Sequence, residues 1–201
     1  MLRTIKKLLG IVVLGLFLIT PSQANDIRDF QIEGISIGDS LLDHFSKAEI
    51  KAEIEESRYM YERFTKQFGE VYLYKGLETY DYISFLVKTD DEKFIIHLIR
   101  GAIAYNDNID ECYKKKDVIV KDFSKNFKYA KKKDRSFKHG IDTTGRSTVN
   151  QTKFIFKSGD QLNVQCMDFE EDLRINKNFD DGLDVLVQTK EVFEWLSSPI
   201  K

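Results

Sequence analysis

The sequence predicts an α+β fold: an antiparallel sheet of about five strands, one long helix packed on it, and shorter helices near both ends. Two observations carry this expectation. Apolar residues alternate in two hairpin-like stretches, and an apolar stripe at helical spacing separates them. The stripe holds one of only two cysteines, and the second hairpin holds the other.

The chain opens with MLRTIKKLLGIVVLGLFLITPSQAND. Arg3, Lys6 and Lys7 precede an apolar run of about a dozen residues, and Ser22-Gln23-Ala24 follows, so residues 1–24 read as a secretory signal peptide cleaved after Ala24. The run is shorter than the ~20 residues needed to span a bilayer. Residues 25–201 are then expected to form a single α+β domain, not membrane-spanning once processed, in the periplasm or secreted. Loss of three basic and no acidic residues takes the net charge from -2 to -5. In an oxidising compartment Cys112 and Cys166 are expected to form a disulfide.

Asp26 to Glu33 reads as a short extended piece, and Gly34 to Ser40 as a strand end turning into a short helix that Asp39 or Ser40 caps. Ser46-Lys47-Ala48-Glu49 fits a capping box, with Ile50 and Ile54 on one helical face behind it. The segment IEGISIGDSLLDHFS, with YDYISF and a cysteine downstream, resembles an uncharacterised family of small secreted bacterial proteins, which implies export and no known activity. Its glycine-turn-helix unit is also similar to that of small envelope-assembly and inhibitor-like proteins. The assembly proteins are lipidated on a cysteine, which this chain lacks near its cleavage site.

From Tyr59 to Tyr74 aromatics recur, and Tyr61, Phe64, Tyr72 and Tyr74 form a candidate aromatic face interleaved with Arg63, Lys66 and Lys75. Such a row suits stacking against sugars or bases; half-buried strand aromatics are the plainer reading. Ile83, Phe85 and Val87 then alternate with Tyr82, Ser84 and Leu86. Thr89 to Glu92 turns, and the run from Phe94 to Ile99 is apolar on both faces, as in a central strand. Asn106 to Glu111 places side-chain oxygens at alternate positions like a calcium loop but has Glu111 where that loop needs glycine, so helix capping explains it and no metal is expected. The helix runs from about Ile109 to Phe127, with Cys112 at its buried edge.

Lys114 to Lys138 carries eleven basic and three acidic residues, a local +8 against -13 for the rest of the mature chain. Lys114, Lys115, Lys116, Lys131, Lys132, Lys133, Arg135 and Lys138 are therefore candidates for binding an anionic lipid, an anionic polymer or an envelope protein. A solvated helix face followed by a mobile loop over residues 130–144 is the alternative. Ser147 to Phe156 and Gln161 to Phe169 form the second hairpin, with Leu162, Val164 and Cys166 sharing a face. Leu183 to Gln188 reads as a strand after a charged loop, and Thr189 caps a terminal helix containing Val192, Phe193, Trp195 and Leu196.

Nucleophile-elbow, zincin, phosphate-loop and dinucleotide motifs do not occur in the sequence. His97 beside acidic residues is the candidate base of a small hydrolase, and Asp168, Glu170, Glu171 and Asp172 could pair as glycosidase carboxylates, though a solvated acidic patch is the ordinary outcome. The leading expectation is a non-catalytic binding or adaptor module without a cofactor and without a nucleic-acid partner. A hydrolase and an inhibitor-like module are the alternatives.

Overall fold

The alternating stretches are satisfied by a larger sheet than the sequence suggests. A computed structural model describes residues 26–58 and 66–198. The expected signal peptide and, from the aromatic row, Tyr61 and Phe64 lie outside the described residues. Two short strands, β1 (Gln31–Ile32) and β2 (Ile35–Ser36), pair across Glu33-Gly34, where both residues take positive φ, the geometry of a tight hairpin turn. Seven strands form the main sheet: β3 (Phe68–Leu73), β4 (Tyr82–Lys88), β5 (Ile96–Ala104), β6 (Lys131–Lys138), β7 (Thr148–Ile155), β8 (Gln161–Asp168) and β9 (Gly182–Gln188).

Their order is β3-β4-β5-β9-β8-β7-β6, and every pairing is antiparallel. The chain builds one half as a meander, crosses through a helix to the far edge, and meanders back, so the last strand fills the centre. The expected mobile loop over residues 130–144 is corrected here. Residues 131–138 are an edge strand, exposed on both faces, paired along their whole length with β7. The segment beyond is also built: the Asp142 carboxylate accepts from the Thr144 N–H and hydroxyl and from the Ser147 N–H.

Among the described residues four α-helices accompany the sheet. Helix α1 (Lys47–Ser57) starts at the expected capping box, with Ser46 and Glu49 bonding each other's backbone. It lies so close to β3 that a Cβ on Gly69 would meet Ile54 at 2.5 Å. Helix α2 (Ile109–Asn126) is capped by Asn108 and packs on β8 and β9. Helix α3 (Glu171–Lys177) forms where a charged loop is expected, with Glu170 as its cap and basic Arg174 and Lys177 in its last turn. Helix α4 (Lys190–Leu196) is capped by Thr189.

The main core fills the face under α2 and the β1–β2 hairpin. There Phe30 meets Phe123 edge-on at 5.2 Å, and Phe123, Phe127 and Phe154 pack together. Cys112 of α2 is bonded to Cys166 of β8, with Cα atoms 6.1 Å apart, so the bridge pins the helix to the sheet. A smaller core on the opposite face joins Phe68, Leu86 and Leu98 to Val192 and Trp195 of α4. Among the described residues no helix is long and apolar enough to cross a membrane.

Candidate functional site

The β-strand alternation that buries one face delivers polar residues to the other. On the face opposite α2, two cross-strand rows follow from the register. One runs Tyr72, Ser84, Arg100, Leu186, Asn163, Lys153, Lys133; the next runs Tyr82, Ala102, Asp184, Gln165, Gln151, Arg135. Helix α4 covers the adjoining end of this face, where the ring of Phe193 lies 4.8 Å from the Lys153 ammonium. The two rows and the tyrosines beside them make up the candidate site.

At one edge Tyr72 and Tyr74 stack at 5.8 Å, and Tyr82 leans on both at about 6 Å. Tyr74 is 64% exposed, so one ring of the cluster faces water. The Tyr72 hydroxyl donates to Glu70 at 2.8 Å, and Arg100 donates to the Tyr82 hydroxyl at 3.2 Å. From the other edge a relay runs inward: Arg135 Nε to Gln151 at 2.7 Å, Gln151 to Gln165 at 2.6 Å, and Gln165 to Asp184 at 3.4 Å. The last contact is long and correspondingly weak.

Electrostatics ties the rows together. Burial opposes the charge on Arg100, but the attractions of Asp184, Tyr82 and Glu70 outweigh it and hold the guanidinium above its ordinary value. Asp184 goes the other way: burial pushes its carboxyl up, and Arg100 and Gln165 pull it back only in part. Burial, then Arg135 and Lys133, lower the Lys153 ammonium. Three buried polar atoms of one row, Ser84 Oγ, Arg100 Nε and Asn163 Oδ1, have no hydrogen-bond partner among the described residues. Orphaned polar atoms are uncommon in folded proteins, and three in a single row single it out as a candidate site.

The basic segment does not form one surface. Lys131, Lys133 and Arg135 stand on the same sheet face as the tyrosines, at the opposite edge, while Lys132 and Lys138 point to the other face with Asp134. Lys114 is exposed and bonded to Glu111 at 2.7 Å. Lys115 borders a half-open cavity of about 540 Å³ whose wall also holds Glu33 and Glu78. Lys116 is buried at 7% exposure and acts on Asp134, so its ammonium is not on the outer helix surface. Of the aromatic row, Tyr72 and Tyr74 do share a face, joined by Tyr82.

His97 lies beyond the polar rows. Its Nδ1 is 3.8 Å from a Glu191 oxygen, beyond hydrogen-bond reach, and its ring meets Phe68 edge-on at 5.6 Å. Burial, then Lys88, lowers its basicity, and Glu191 opposes them. Glu170 of the acidic cluster caps α3 and pairs with Arg146 at 2.6 Å; Glu171 lies 3.7 Å from Arg174. In the calcium-like stretch, Asn106 donates to Asp180 and accepts from the Asp181 N–H, Asn108 caps α2, and Glu111 accepts from Lys114. Glu70, Arg100, Asp184 and Gln165 are the site residues that sequence reasoning missed. The alternation of Gln161, Asn163 and Gln165 with Leu162, Val164 and Cys166 was the visible signal for Gln165; Glu70, Arg100 and Asp184 lie on other strands and carried none.

Fold and site together define an α+β domain with one helix-covered face and one polar, partly open face. No family model, curated protein or solved structure matches the chain.

Proposed function

We propose that the protein is an exported, non-catalytic binding module that takes an anionic polysaccharide across the open face of its sheet. The observation that carries this reading is the placement of the tyrosine cluster and of Lys131, Lys133 and Arg135 on one face, bridged by Arg100 and a row of amide side chains. The exposed Tyr74 ring offers stacking area for sugars, the exposed basic edge matches acidic substituents, and buried Gln151, bonded to Arg135 and Gln165, holds that edge in place. The buried Cys112–Cys166 bridge and the leader-like N-terminus support export into an oxidising compartment.

The test is retention of the purified protein on dextran sulfate, on uncharged dextran and on polyphosphate. Binding to dextran sulfate should weaken with salt, because exposed charges are screened over about 8 Å at physiological ionic strength. The double substitution Lys133→Ala, Arg135→Ala should lower the eluting salt on both polyanions. Tyr74→Ala should lower it on dextran sulfate alone. Equal elution of parent and variants would overturn the proposal, as would capture of an envelope protein that dextran sulfate does not displace.

A further inference from the structure

Strand β6 ends the sheet, and its parity can be read from the loop that follows. His139 donates its backbone N–H to the Ser147 carbonyl at 3.0 Å, and His139 and Ser147 continue the β6–β7 register beyond Lys138 and Thr148. In an antiparallel ladder the bonded pairs alternate. The odd-numbered residues Lys131, Lys133, Arg135 and Phe137 therefore bond to β7, and Lys132, Asp134, Ser136 and Lys138 turn their N–H and C=O groups to the outer edge, where no other strand pairs among the described residues. Every residue of the strand is exposed.

Lysine on an edge strand also deters indiscriminate pairing. What separates this strand from a purely guarded edge is its apolar content. Tyr129 before it, Phe137 on it and Ile141 after it are 58%, 38% and 49% exposed, three of the seven large exposed hydrophobics among the described residues. Arg135 lies over the Phe137 ring at 4.5 Å and braces it.

We infer that β6 is a docking edge for an extended acidic polypeptide segment, which adds to the sheet as an eighth strand. The outward N–H and C=O groups supply the ladder, and Lys131, Lys133 and Arg135 face the acidic side chains of the incoming strand. Phe137 takes an apolar residue at one end. A second copy of this chain is a poor occupant, since β6 against β6 would set lysines against lysines. The inference shares Lys131, Lys133 and Arg135 with the polysaccharide reading but adds the backbone edge and does not need Tyr74 or Arg100.

The probe is a fluorescent eight-residue peptide alternating Glu and Thr with a terminal Phe, alongside the same peptide with Lys in place of Glu. The acidic peptide should bind and the basic one should not. Amide exchange at Lys132, Asp134 and Ser136 should slow on binding. Ser136→Pro removes one outward N–H and leaves the β7 ladder intact, so it should weaken binding at least tenfold while Tyr74→Ala leaves it unchanged. Absence of binding, or binding without protection of these amides, would overturn the inference in the parent protein alone, whatever the fate of the proline variant. So would a dimer in sedimentation with the same amides protected and no peptide present.

Discussion

Reduction of the Cys112–Cys166 bridge should destabilise the protein far more than its surface ion pairs do. The bridge spans 54 residues, from the first turn of α2 to β8, and both cysteines are 0% exposed. For a loop of that length the chain-entropy estimate is about 4 kcal/mol, acting on the unfolded state. With a urea slope of about 2 kcal/mol per M, the midpoint should fall by about 2 M on reduction. The slope itself should rise, because an uncrosslinked unfolded chain exposes more surface. Because the sulfurs are buried, reductant must be equilibrated through the unfolded state before the titration is run. Equal midpoints for oxidised and reduced protein would refute the reasoning. A lower midpoint with an unchanged slope would place the effect in the folded state instead.

Three further outcomes follow from particular contacts. In Gly101→Ala the new Cβ would fall 2.6 Å from the Tyr80 ring, which should destabilise by about 1–3 kcal/mol; an unchanged melting temperature would mean that the Tyr80 ring moves freely. Trp195→Ala should cost about 3–5 kcal/mol by emptying the small core under α4. Trp195 is the only tryptophan, so in the parent its fluorescence should red-shift in a single step with global unfolding; an earlier step would show α4 leaving by itself. Hydrogen bonds from Thr144 and Ser147 hold the Asp142 carboxyl well below its ordinary range. Such a group contributes stability that is complete above the unfolded value of about 3.9 and is lost as pH falls through the lower folded value. The stability gap between parent and Asp142→Ala should therefore narrow in acid below that unfolded value; a gap independent of pH would contradict the assignment.

The elements legible in the sequence are those whose signals are local. Ser46 with Glu49, Thr189, the alternation in β4, β7 and β8, and the cysteine on the stripe of α2 each depend on near neighbours, and each is found in place. Strand β6 is the opposite case. KKKDRSFK has poor strand propensity, and what makes it extended is pairing with β7, a long-range condition that no local pattern reports. The insertion of β9 between β5 and β8 has the same character. At the site, Tyr72 and Tyr74 could be paired by eye because they are two residues apart. Arg100 and Asp184 come together only because β5 and β9 become neighbours, so their proximity was not readable before the strand order was.

The most direct test of the open face as the binding surface is side-chain NMR of the purified protein titrated with dextran sulfate fragments. The account predicts shifts in the side-chain amide signals of Gln151 and Gln165, the Arg135 Nε–H and the Tyr74 ring, all on one face of the sheet. Shifts confined to Lys121, Lys125 and Lys128 of α2 and its end, or no shifts at all, would contradict it.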